Sequence, residues 1–203
     1  MKKQLLALIA LTAALTACGT SAPSVFYALD YNTPANTFQA GQNAVISVAS
    51  VQIPAYLDRP QIVLKTQDSP VLLINEFNRW AENLSTASAR VLASAINNAA
   101  KRNYARSADS RGENTPYRLF VQIVHLDATA GGDALLDAWW SVATPDGAPV
   151  YTAHSVLKQP AGDSYDDIVR AQNALLTRLG DKIAQYCLKN IKKMTGGTRR
   201  AGV

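Results

Sequence analysis

The apolar residues of this chain change period along its length, from about two to about 3.6 near residue 83, back to two near residue 117, and again to 3.6 near residue 164. Strands repeat a face every second residue and helices every 3.6, so this succession limits the chain to a strand-rich half, a helix, more strands and a second helix. Residues 25–29 read as a short strand, and residues 30–43, rich in Asn, Thr, Pro and Gly, as a loop. Residues 45–53 read as a strand with Ile46 and Val48 on one face and Val51 and Ile53 on the other; the phase change near Ser50 implies a bulge. Pro54 and Pro60 bracket a turn, because neither can donate to a sheet. Residues 62–65 and 71–75 flank Gln-Asp-Ser-Pro and read as a hairpin.

Residues 83–106 follow the helical period. Leu84, Ala87, Val91, Leu92, Ala95, Ile96 and Ala99 form one stripe, with Arg90, Asn97, Lys101 and Arg102 off it. Runs at 119–123, 135–142 and 150–157, separated by Gly131-Gly132-Asp133 and Pro145-Asp146-Gly147, read as a β-meander. Asp163 or Ser164 can cap a final helix that has Asp166 and Asp167 in its first turn and Ile168, Leu175, Leu179, Ile183 and Cys187 on its buried stripe. Two such helices must cover one face of a sheet. The expected fold class is α+β, a two-layer domain with a mixed or antiparallel sheet covered on one face by two helices.

The amino terminus fixes a location. Lys2-Lys3 precede an apolar stretch from Leu5 to Leu15 that is too short to span a bilayer, and Leu15-Thr16-Ala17-Cys18 closes it as a bacterial lipoprotein signal does. The resemblance to lipoproteins implies cleavage between Ala17 and Cys18, with lipid on the Cys18 sulfur and an acyl group on its amine. Three acyl chains, at about 0.8 kcal/mol per buried methylene, would hold the protein on a membrane durably. The alternative is an ordinary secretory signal cleaved after Ala17. Gly19 follows the cysteine where an aspartate would favour the inner membrane, so an outer-membrane anchor facing the periplasm is expected. The resulting division is a signal peptide at 1–17, a tether at 18–24, a single periplasmic α+β domain at 25–190 and a flexible basic tail at 191–203.

Charge and cysteine usage agree with that placement. Lys189, Lys192, Lys193, Arg199 and Arg200 lie after Leu188 with no acidic residue among them, and between Cys18 and Leu188 there are 13 basic against 15 acidic side chains. The basic excess is therefore terminal and gives no reason to expect a nucleic-acid partner. The tail reads as a solvated end, or alternatively as a contact for anionic headgroups. With Cys18 acylated, only Cys187 remains, so no internal disulfide forms and Cys187 is expected to be a buried thiol.

The motifs of enzymes are missing. The chain has no Gly-rich phosphate loop, G-x-S-x-G, H-E-x-x-H or C-x-x-C, and no cofactor is expected. His154-Ser155 with Asp127 or Asp137 offers the residue types of a hydrolytic triad, but neighbours on a strand point to opposite faces, so His154 cannot serve Ser155.

Two segments exceed what a generic core needs: Pro54-Ala55-Tyr56-Leu57-Asp58-Arg59-Pro60-Gln61-Ile62-Val63 and Phe77-Asn78-Arg79-Trp80-Ala81-Glu82-Asn83-Leu84. Together with the Cys18 signal they resemble the PqiC-like auxiliary lipoproteins of ABC-type transport systems, which accompany MCE proteins in lipid trafficking between Gram-negative membranes. The resemblance extends weakly from Phe26-Tyr27-Ala28-Leu29 to Leu136-Asp137-Ala138-Trp139-Trp140; Asn83 stands where the family usually has proline, and asparagine is itself a good N-cap.

The resemblance implies a non-enzymatic subunit that is held in the outer membrane by its acyl chains, docks on an MCE-domain protein and forms a homo-oligomer. From the residues themselves, Asp58 can bond turn amides, Arg59 and Arg79 can pair with Asp58, Glu76 or Glu82, and Tyr56 and Trp80 can cover one end of the sheet. Tyr56, Asp58, Arg59, Arg79 and Trp80 fit a structural role and a docking surface equally well. Trp139 is a sixth candidate interface residue: it alternates outward with Asp137 and Ser141, while Trp140 faces the helices. Phe26 or the loop after Asp30 packing over Trp139 is the competing expectation. A stand-alone lipid-binding lipoprotein and an envelope-assembly interaction lipoprotein are the alternative functions.

Overall fold

The computed structural model describes residues 22–29, 44–107 and 115–197, with side chains through 191. The signal peptide, Cys18, most of the tether, the loop after Leu29 and the end of the basic tail lie outside the described residues. The elements are β1 (Val25–Tyr27), β2 (Ile46–Gln52), β3 (Gln61–Lys65), β4 (Leu72–Trp80), α1 (Leu84–Ala100), β5 (Ala105–Ser107), β6 (Tyr117–Ala128), β7 (Asp133–Ala143), β8 (Pro149–Pro160) and α2 (Tyr165–Gly197). The fold is α+β, with both helices on one side of the main sheet.

The apolar pattern implies one sheet, but the strands form two. One has three strands in the order β1-β4-β3, the other five in the order β5-β2-β6-β7-β8. The turn between Pro54 and Pro60 separates them: the Leu57 and Asp58 amides both donate to the Pro54 carbonyl, which turns the chain away from β2 before β3 begins. A parallel bridge, Lys65 to Thr129, joins the two sheets where β3 ends.

In the larger sheet β6, β7 and β8 are an antiparallel meander, while β2 runs parallel to both β5 and β6. A register shift between Val48 and Ser50 confirms the bulge in β2. Its consequence is that Val51 pairs with Val121 and is buried as Ile46 and Val48 are, so Val51 belongs to their face and not to the opposite one.

The helices seal this face. Asn83 caps α1, its side-chain oxygen accepting from the Ser85 amide at 2.9 Å, and Ser164 caps α2, its hydroxyl accepting from the Asp167 amide at 3.1 Å. Leu92, Ile96, Ile168, Leu175, Leu179, Ile183 and Cys187 lie fully buried against Leu119, Leu136 and Val142. The two helices cross closely at Gly180, where an added Cβ would stand 2.5 Å from the Ala95 Cβ.

Two helix ends differ from the sequence period. α1 stops at Ala100 because Lys101 takes a left-handed conformation and Asn97, off the apolar stripe, is nonetheless buried. The Asn97 carboxamide accepts from the Tyr104 and Ala105 amides at 2.7 Å each and donates to the Ala105 carbonyl at 2.9 Å, drawing the chain into β5. α2 continues to Gly197, into the segment expected to be a flexible tail. Among the described residues no helix is long and apolar enough to cross a membrane.

Candidate functional site

The turn after β2 and the end of β4 come together as their sequence motifs suggest. The Trp80 amide donates to the Pro60 carbonyl at 2.6 Å, and Asp58, Arg59, Trp80, Glu82 and Asn83 line one shallow cleft. The polar pairing differs from expectation. Asp58 accepts from the Asn83 side-chain amide at 3.2 Å, Glu82 pairs with Arg90, and Glu76 accepts from Gln61 at 2.8 Å. No ion pair joins Arg59 or Arg79 to these carboxylates among the described residues, and the Arg79 Nε is buried without a hydrogen-bond partner.

Trp80 is only 6% exposed and packs in the core, so its indole supports the cleft from beneath and offers a partner almost no surface. Arg59 and Asp58 remain exposed.

Tyr56 has a different role from the one its neighbours suggest. Its hydroxyl donates to the Asp127 carboxylate at 2.6 Å, and the same carboxylate takes Lys65 at 2.6 Å and His125 at 2.8 Å. Burial, then the bond to Asp127, pushes the Tyr56 hydroxyl well above the ordinary phenol range. A carboxylate this buried is tolerable only because several donors converge on it. The cluster fastens the Pro54–Pro60 turn and β3 to β6, bracing the two sheets together. Asp127 and Lys65 carry no motif that marks this role; only the bridge between the sheets brings them together.

The second candidate surface is the outer face of the five-stranded sheet, the face opposite the helices. As β7 alternates, Trp140 lies against α2, 6.0 Å from the Tyr186 ring, with its Nε1 donating to the Ser155 hydroxyl at 3.1 Å. Trp139 points the other way and is 48% exposed. Its indole stacks on the His154 ring at 4.5 Å between centroids and 18° between planes, and His154 Nε2 donates to Asp137 at 2.6 Å. The stacked ring and its carboxylate hold the indole in one orientation. A shallow depression bounded by Gln52, Gln122 and Thr152 opens beside it, and Val124 and Val156 add exposed apolar surface on the same face.

The histidines therefore sit as strand geometry requires. His154 engages Asp137 on the outer face while Ser155 engages Trp140 on the inner one, so a Ser-His-Asp relay through these three is not assembled. Cys187 lies in the helix-packed core, where burial pushes its thiol up to about 12.

Comparison with known proteins bears on the fold and the family. No curated protein matches the chain. Among solved structures, a protein from Xanthomonas campestris of the DUF330 family superposes with a TM-score of 0.65 at 14% identity, covering 85% of this chain and 99% of that one. An uncharacterised protein superposes with a TM-score of 0.63 at 18% identity, covering 81% of this chain and 99% of its own. At these identities the likeness is one of fold. The model of the ABC-type transport auxiliary lipoprotein component matches residues 27–184, from β1 through most of α2, and the chain belongs to that family.

Proposed function

We propose that this protein is an acylated, periplasm-facing outer-membrane lipoprotein that acts without catalysis of its own as a docking subunit of an MCE-containing ABC-type lipid transport system and so sustains envelope integrity. Family membership supports the transport association, and Leu15-Thr16-Ala17-Cys18 supports the anchor. In this reading residues 1–17 are removed, 18–24 form the tether and the remainder works as one domain.

The observation that carries the docking role is Trp139: a half-exposed indole, held rigid by His154 and Asp137 on a sheet face that neither helix covers. A large aromatic ring with little conformational freedom is the kind of side chain that anchors interfaces. The surface serves an MCE-domain partner or a neighbouring copy in a homo-oligomer, with exposed Asp58 and Arg59 as a second contact. The interior favours this over a stand-alone lipid carrier, since the sheets do not close into a barrel and side chains from both helices fill the space between helices and sheet.

The test compares envelope permeability in the native host for Cys18→Ser, Trp139→Ala, His125→Ala and His154→Ala at matched abundance. The first two are expected to weaken the barrier, His125→Ala to leave it intact, and His154→Ala to have at most the smaller effect of loosening Trp139. Loss of barrier function in His125→Ala with unchanged thermal stability would reopen a catalytic reading.

A further inference from the structure

We infer that the exposed apolar end of the β3–β4 hairpin rests on the lipid surface that holds Cys18, at the level of the headgroups. The inference depends on the acylation of Cys18 proposed above and goes beyond it, because an anchor alone leaves the domain free to turn on its tether.

Strand direction and register place this end. β1 runs parallel to β4, Val25 opposite Asn78 and Tyr27 opposite Trp80, and antiparallel to β3. The chain therefore enters β1 from the side on which β3 and β4 are joined by their turn at residues 66–71. Asn78 lies one residue before the partner of Gln61, so the turn begins only about four residues, or about 13 Å, further along β3. Cys18 precedes Val25 by seven residues, which limits its sulfur to about 25 Å from the start of β1. A membrane fixed to Cys18 is thus within reach of the hairpin.

The surface at that end suits lipid. Leu73 is 51% exposed and Val71, Ile74 and Phe77 are exposed beside it, with Phe26 at 62% on β1. Leu73 and Ile74 are consecutive in a strand, so both faces of the hairpin present apolar side chains. β1 pairs with β4 only from Asn78 to Trp80, which leaves the stretch from Leu72 to Phe77 as a sheet edge among the described residues. An apolar edge strand whose one charge, Glu76, accepts from Gln61 invites association with other chains unless something covers it. Its unpaired backbone groups keep it out of hydrocarbon, where they would lose water, and suit the wet headgroup layer. Charge plays little part: Asp68 is the one ionisable residue of the turn, Lys65 is engaged by Asp127 and Glu76 by Gln61.

The test uses the acylated full chain in vesicles of phosphatidylethanolamine and phosphatidylglycerol. Leu73→Cys or, on the outer sheet face, Val156→Cys carries the reporter thiol; Cys187 is buried and does not react in the folded protein. A water-soluble thiol reagent is expected to modify Leu73→Cys at least about tenfold more slowly on vesicles than in the soluble Cys18→Ser background, a factor that burial of one apolar side chain supports. Val156→Cys should react at the same rate in both, and brominated lipids should quench a fluorophore at position 73 only.

Equal reactivity of Leu73→Cys on and off vesicles, in protein whose amino-terminal peptide carries acyl groups by mass, would overturn the hairpin contact and leave the anchor standing. Protection already present in the soluble background would overturn it as well, assigning the surface to a second copy where it rises with concentration and to another segment of this chain where it does not. Absence of acyl groups from Cys18 in the native host would remove the anchor reading and the inference with it.

Discussion

Trp80 and Trp139 show how one residue type serves two ends in the same fold. Trp80 is packed into the core and Trp139 lies half in solvent on a sheet face. Trp80→Ala should therefore cost about 3–5 kcal/mol, and Trp139→Ala about 1 kcal/mol or less, the loss of one ring stack. Urea denaturation of the unacylated mature chain measures both, and a Trp80→Ala loss no larger than that of Trp139→Ala would refute the core assignment. The outward direction of Trp139 was legible from alternation with Asp137 and Ser141 alone. The burial of Trp80 was not, because its motif runs from strand into cap, where no period operates. Asn97 was misread for a related reason: polarity placed it off the stripe, whereas its three bonds to the chain at Tyr104 and Ala105 make it a buried bracket.

At the scale of elements, the crossing of α1 and α2 depends on Gly180. Alanine there would gain roughly 1 kcal/mol of helix propensity, but its Cβ would overlap Ala95 at 2.5 Å, inside any tolerable contact. Gly180→Ala should be destabilising by about 1–3 kcal/mol. Adding Ala95→Gly should recover part of that loss, a coupling that a double-mutant cycle detects.

The α2 core also sets an alkaline limit. Cys187 is held protonated by burial, its thiol raised from 9.0 to about 12. Above pH 9 the unfolded chain ionises this thiol and the folded chain does not, so its contribution to stability is full below pH 9 and declines as pH rises through about 12. Cys187→Ala should flatten the fall in stability over that interval in denaturation series at fixed temperature; an unchanged slope would mean that the thiol is ionised in the fold. Both helices and the meander were readable because each sustains one period over several turns or alternations. β5, with three residues and a side-chain bracket to position it, had no pattern of its own to read.

For the whole molecule, patterning implied one sheet and the chain makes two, since a turn between prolines redirects it and a buried carboxylate pins the smaller sheet to the larger. Periodicity reports which residues are buried, and says nothing of which strands share hydrogen bonds. The consequence for function is a division of surfaces: helices over one face of the main sheet, an open aromatic face on the other, and an apolar hairpin at the end where the chain enters β1.

If the open face docks a transport partner, crosslinking in living cells followed by isolation of the acylated chain should recover the MCE-domain protein of the same system. Trp139→Ala should reduce that recovery severalfold at equal abundance and acylation. Recovery of no MCE-domain protein from cells in which the chain is acylated and folded, or recovery unaltered by Trp139→Ala, would contradict the account.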